Sequence, residues 1–156
     1  MIIDIHEHYS YEKDYLGRLL DSMDKAGIDR TCLSPYPPCF EYPGNRKVME
    51  AAEKYPDRII PFGFVRLGED GPDFVRELRD EGFRGLKMHT PPLNYDDTSF
   101  FPVYAKAAEL ELPILFHAGM VGVQPAKGKE KYNVSGARMR PAFIDTIAKA
   151  FPGLNI

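Results

Sequence analysis

Cysteine is scarce in this sequence of 156 residues, with Cys32 and Cys39 alone, and that scarcity excludes a small secreted module held by a disulfide framework. The two stand seven positions apart, which suits neither a Cys-x-x-Cys redox pair nor a zinc knuckle, and both are expected to be reduced thiols. Basic charge is not in excess either. Lys and Arg number 20 against 23 Asp and Glu, a net charge of −3, so no global positive field exists to hold a phosphate backbone and nucleic acid is not an expected partner. Long apolar runs are also missing. The longest nearly uncharged stretch, Leu112 to Gln124, contains His117 and falls short of the roughly 20 residues a membrane helix needs. Met1 is followed by Ile2, Ile3 and Asp4 with no basic leader, so no signal peptide is expected and the cytoplasm is the expected location.

What is present is a rhythm. Short apolar, β-branched runs at Ile2 to His6, Ile28 to Ser34, Arg58 to Leu67, Phe83 to His89 and Leu112 to His117 read as strands, each followed by an amphipathic stretch. Leu16, Leu19, Leu20 and Met23 form the first helical stripe, with Gly27 as a left-handed stop just beyond it. Val48, Ala51, Ala52 and Tyr55 form the second, and Phe74, Val75 and Leu78 the third. Tyr104, Ala107 and Ala108 form the fourth, and Pro141 opens a fifth through Phe143, Ile144, Ile147, Ala148 and Phe151. Strand-helix alternation of this kind predicts an α/β fold with parallel strands.

The strand starts recur about every 30 residues, and eight such units make the roughly 250 residues of a (β/α)₈ barrel. Tyr55-Pro56-Asp57-Arg58-Ile59-Ile60 enters the third strand, and Phe151-Pro152-Gly153-Leu154-Asn155-Ile156 repeats its pattern of aromatic, proline, turn residue and apolar run. The expectation is therefore the N-terminal part of a TIM barrel, strands one to five and the start of a sixth, forming one incomplete domain over residues 1–156. A doubly wound dinucleotide fold is the alternative, but no Gly-x-Gly-x-x-Gly turn follows the first strand. No Gly-x-Ser-x-Gly nucleophile elbow occurs.

All four histidines stand at or just beyond the C-terminal ends of these strands: His6 and His8 on the first, His89 on the fourth, His117 on the fifth. In a barrel that is the catalytic face. Strand side chains alternate with period two, so Asp4, His6 and His8 share a side, and two imidazoles at that spacing can converge on one ion. With His117 reaching across the barrel mouth, three nitrogen ligands plus a water would make an open catalytic zinc site. Asp4 has two readings, a hydrogen bond within the barrel floor or the orientation of a histidine.

Asp4-Ile5-His6-Glu7-His8, Gly85-Leu86-Lys87-Met88-His89 and Leu112-Pro113-Ile114-Leu115-Phe116-His117-Ala118-Gly119 together resemble the amidohydrolase superfamily, in particular its amidohydrolase-related branch of metal-dependent hydrolases and decarboxylases. The resemblance implies a barrel holding one divalent metal ion, zinc by preference, on His6, His8 and His117. It also implies a histidine on a sixth strand and a proton-handling aspartate after the eighth, neither of which is in this sequence. It implies a metal-activated water attacking an amide, ester or lactone, or alternatively non-oxidative decarboxylation at the same centre. A fourth-strand lysine bridges two metals in some members, so Lys87 is a candidate for that role, and Lys87 and His89 together for one in catalysis or substrate handling. A reading of another class is an inactive half-barrel, with an open strand edge and an uncovered lumen. Such a chain would be covered by a second copy or by the missing C-terminal half.

Two loops bear on the substrate, expected to be a small molecule. Between Val121 and Arg140 the sequence carries Lys127, Lys129, Lys131, Arg138 and Arg140 against Glu130 alone, a local basic charge that would attract a carboxylate. Arg66, at the end of the third strand, could grip it with a planar fork. A solvated lysine-rich loop is the competing reading. Ser34 to Gly44 is a proline-stiffened aromatic loop, suited to stacking on a ring substrate or to a subunit contact.

Overall fold

The computed structural model describes residues 1–41, 44–121 and 135–156. Strand β1 (Ile3–His8) leads to helix α1 (Tyr15–Ala26), β2 (Arg30–Ser34), α2 (Asn45–Lys54), β3 (Ile59–Val65), α3 (Pro72–Glu81), β4 (Gly85–Met88), α4 (Phe101–Glu109), β5 (Ile114–Phe116) and α5 (Pro141–Ala150). The strands pair in chain order β1-β2-β3-β4-β5 and every pair is parallel. This is the alternation expected from the sequence, with the five helices on the five stripes. Gly27 closes α1 at φ 69°, its N–H donating to the Asp24 and Met23 carbonyls, a conformation that side chains other than glycine's resist.

Most strands begin later than their apolar runs do, for one physical reason. The backbone N–H groups of Ile28, Phe83 and Leu112 donate to Met23, Leu78 and Ala107, closing the helix before them instead of entering the sheet. At its far end β3 stops at Val65, because the Arg66 N–H donates to the Asp70 carboxylate at 2.7 Å. The sixth strand is present only as an approach: the Ile114 N–H donates to the Asn155 carbonyl at 2.9 Å, laying residue 155 along the free edge of β5.

The helices cover one face of the sheet, and the core lies between. Leu33, Val48, Ala51, Ile59, Val65, Val75, Leu78, Phe83, Leu86, Tyr104, Ala107 and Ile147 are all essentially inaccessible there. Burial of such side chains contributes roughly 1.5–3 kcal/mol each and dominates the stability of the fold. Asn45, at the first turn of α2, accepts from the Phe64 N–H at 2.7 Å and donates to the Phe64 carbonyl at 3.2 Å, pinning the helix to β3.

The sheet is curled. Lys87 on β4 touches His6 on β1 at 3.1 Å, although three strand spacings would put those strands about 14 Å apart in a flat sheet. β1 itself is irregular. Asp4 pairs with Thr31 and Glu7 with Leu33, so β1 carries one residue more than β2 over this stretch. Such a bulge re-aims side chains and is common beside functional sites. The strict alternation expected from Asp4 through His8 is therefore interrupted between Asp4 and Glu7.

Candidate metal centre

His6 and His8 nevertheless meet. Their Nε2 atoms lie 3.0 Å apart and the rings contact edge to face. His8 is held on three sides: its Nδ1 lies 3.3 Å from the Pro35 carbonyl and 3.2 Å from Ser34 Oγ, and Tyr36 stacks on its ring at 4.3 Å. A carbonyl only accepts, so the ring hydrogen sits on Nδ1 and the Nε2 lone pair faces His6. The end of the strand is held by Tyr15, whose hydroxyl is 2.7 Å from the His8 carbonyl and 3.0 Å from the Glu7 carboxylate. The Asp4 carboxylate accepts from the His6 backbone N–H at 3.1 Å.

Lys87 is completely buried, and its Nζ stands 3.1 Å from His6 Nε2. Burial pulls its ammonium down to about 8, because a low-dielectric surrounding disfavours the charged form. Burial first, and then the positive charge of Lys87, also lowers the imidazoles of His6 and His8, the latter to about 3. The same two causes lower His117. All three are thus neutral rings at pH 7, the form that offers a lone pair.

His117 stands just beyond β5 and stacks on His89, ring centroids 3.9 Å apart. Phe40 meets His89 edge-on at 6.2 Å. His89 is 5% exposed and is pulled down to about 2 by burial and then by the repulsion it would meet from a protonated His117. Its Nδ1 and the Nε2 of His117 are buried with no hydrogen-bond partner among the described residues. Beside them opens a cavity of about 390 Å³ whose walls include His89, Thr90, Phe64, Arg66 and Arg138.

Arg66 and Arg138 thus face the expected cavity, but differently. The Arg66 guanidinium is engaged by Asp70, at 2.5 and 3.1 Å, and by Glu69 at 3.0 Å. Arg138 has no ion-pair partner among the described residues. Arg140 is exposed and precedes α5, and it is not among the residues lining this cavity. Lys127, Lys129, Lys131 and Glu130, with Tyr42 and Pro43 of the aromatic loop, lie outside the described residues.

Two ligands held about 2.0–2.1 Å from one zinc ion stand roughly 3 Å apart when the angle between them is near 95°. The Nε2 separation of His6 and His8 meets that requirement, and their donor chemistry suits a borderline ion. The unpartnered Nε2 of His117 is the third nitrogen of the neighbourhood. It does not complete the set, since no group of three or more His, Cys, Asp or Glu side chains is gathered closely enough for an ion among the described residues. The pair fits a divalent ion; the third ligand stands off with His89.

A curled parallel sheet with histidines along its C-terminal rim defines part of an enzyme-type barrel. The amidohydrolase family model matches residues 36–156, and the chain belongs to that family. Several solved structures carry the same fold. An uncharacterized TIM-barrel protein of Bordetella bronchiseptica matches with a TM-score of 0.71 and 18% identity, over 98% of this chain and 64% of its own. A 5-carboxyvanillate decarboxylase of Novosphingobium aromaticivorans, with bound manganese, matches at 0.68 and 16% identity, over 99% and 64%. A 4-oxalomesaconate hydratase of Rhodopseudomonas palustris matches at 0.67 and 18% identity, over 99% and 61%. The chain thus spans a little under two thirds of these structures. No curated protein matches it.

Several supports of the site had no signal in the sequence. Tyr36 belongs to the aromatic loop, yet its ring is stacked on His8 and so braces a histidine where a ring substrate was one expectation. The Pro35 carbonyl depends on the pairing of β1 with β2, and the Tyr15 hydroxyl on how α1 folds back on β1. Thr90 adopts φ 49° directly after His89, a left-handed conformation unusual for a β-branched residue.

Proposed function

We propose that the protein is a metal-dependent hydrolase acting on an amide, ester or lactone of a small, carboxylate-bearing molecule. The observation that supports this most directly is the 3.0 Å approach of His6 Nε2 to His8 Nε2 at the strand end where barrel enzymes keep their chemistry. His6 and His8 would hold the ion, and His117 would have to leave its stack on His89 to join them; zinc is preferred by the chemistry of imidazole, with the manganese of the decarboxylase relative as the competing choice. When bound, such an ion supplies a water whose pKa falls towards 7 and a Lewis acid for a carbonyl.

The chain's own residues supply the rest. Pro35 keeps the Nδ1 hydrogen of His8 engaged, so that the Nε2 lone pair stays turned to the site. Arg138, in the cavity wall, offers a planar fork to a substrate carboxylate. Arg66, matched by two acidic groups, supplies hydrogen-bond geometry and little net charge. His89 lines the cavity with an unspent Nδ1, which suits it to orienting a polar substrate group. Elemental analysis tests the metal: about one ion per chain is expected, and no ion even after reconstitution would overturn the reading.

Non-oxidative decarboxylation is the second reading, favoured by the fold's likeness to a 5-carboxyvanillate decarboxylase and by the carboxylate-suited Arg138. Release of CO₂ from aromatic acids, against acid release from esters and lactones, separates the two.

The open edge of β1 bears on partners. Ile3 and Ile5 are 38% and 63% exposed, and Ile2 just before them 58%, on a strand paired on one side only among the described residues, which favours further strands lying there, supplied by the remainder of a barrel or by a second copy. A monodisperse monomer that melts cooperatively would contradict this. No helix among the described residues is long and apolar enough to cross a membrane. Cys32 and Cys39 are both buried, and a chain with so few cysteines suits a reducing cytoplasm.

A further inference from the structure

The cavity beside His89 carries charge of both signs, unevenly matched. Arg66 in its wall stands between two carboxylates. Asp70, its side chain buried, takes the Arg66 guanidinium at 2.5 and 3.1 Å and the Arg66 backbone N–H at 2.7 Å. Glu69 gives Arg66 only Oε2, at 3.0 Å, and its Oε1 has no partner among the described residues, although Glu69 lines the cavity with its side chain half exposed. One guanidinium between two carboxylates leaves a negative charge over. Arg138, in the same wall, has no ion-pair partner among the described residues. His89, almost fully buried, adds an Nδ1 that is also without one. Pro38, Leu67 and Pro92 supply apolar wall around about 390 Å³, a volume suited to a small molecule.

We propose that this cavity binds a zwitterion, an amino-acid-like substrate whose carboxylate pairs with Arg138 and whose ammonium pairs with Glu69. This rests on the reading of the cavity as the substrate site and narrows it. A simple anion would meet Glu69 as well as Arg138 in one small space, where like charges repel more than they do in water. An ammonium on the same molecule turns that repulsion into a second charge-assisted hydrogen bond. Arg66 and Asp70 contribute by fixing Glu69 through its other oxygen, and the hydrolysable amide, ester or lactone is a third group, within reach of His89 Nδ1.

The test is titration of the chelator-treated chain, followed by proton–nitrogen NMR, with three probes that differ only in charge: L-leucine, isocaproate, which lacks the ammonium, and isoamylamine, which lacks the carboxylate. Leucine is expected to bind about tenfold more tightly than either, the scale of one charge-assisted hydrogen bond. Glu69→Gln should bring leucine down to the level of isocaproate, and Arg138→Gln to that of isoamylamine, with circular dichroism to establish folding. Isocaproate binding as tightly as leucine, or leucine binding unchanged in Glu69→Gln, would overturn the zwitterion while leaving the carboxylate reading in place. If none of the three binds wild type, this inference falls together with the carboxylate role of Arg138. The metal reading is judged separately by elemental analysis, since the titration uses no metal.

Discussion

His117 lies face to face with His89, 22° from parallel, while His6 and His8 face each other through their Nε2 atoms. The three proposed ligands are therefore unequal. His6→Ala or His8→Ala is expected to abolish most metal binding, because each removes half of a converging pair. His117→Ala is expected to weaken it only roughly tenfold, the scale of a supporting residue. Metal titrations of the three variants check the ranking, and an equal loss in all three would contradict it.

Cys32 gives a pH prediction. Burial, and then the negative charge of Asp4, push its thiol up to about 11. The folded chain thus keeps the proton longer than the unfolded one, so stability falls as pH rises from about 9 through 11, by up to about 2–3 kcal/mol. Alkylation at pH 8 should be far slower than for a free thiol in the folded state and normal in urea. Cys32→Ser should flatten the alkaline fall seen in denaturant titrations.

Gly85, at the start of β4, leaves room for a ring. A Cβ placed there would overlap the tip of the Phe62 ring, which is itself buried. Gly85→Ala is expected to destabilise by about 1–3 kcal/mol, the usual penalty of overpacking. Thermal melts measure it, and Gly85→Ala combined with Phe62→Leu should recover part of the loss.

Asn45 makes two hydrogen bonds to the backbone of Phe64. Asn45→Ala leaves that half-buried strand end without its partners and should destabilise by about 2 kcal/mol. Asn45→Asp retains the acceptor and loses the donor, so it should fall between the two in chemical denaturation.

Much of the architecture was legible because it follows local rules. The stripe of Leu16, Leu19, Leu20 and Met23, with Gly27 behind it, is a helix and its stop whatever the rest of the chain does, and the histidines at the strand ends follow from period and order. What escaped is what depends on curvature and pairing. The strands start two residues after Ile28, Phe83 and Leu112, because apolar residues serve a helix end as well as a strand. The contact of Lys87 with His6 spans 81 positions, and no periodicity encodes it. The stack of Tyr36 on His8 similarly depends on how the loop after β2 folds back, while the bulge in β1 appears only when its register with β2 is counted.

That bulge has a consequence for assembly. β1 is the outermost strand on its side of the sheet and carries exposed isoleucines, which by itself would invite indiscriminate stacking of chain upon chain. Because its backbone carries an extra residue between Asp4 and Glu7, a straight strand can follow it for only a few positions before falling out of step. The irregularity beside the histidines therefore acts outward as a lock, admitting a neighbour shaped to the same offset and frustrating fibre-like growth.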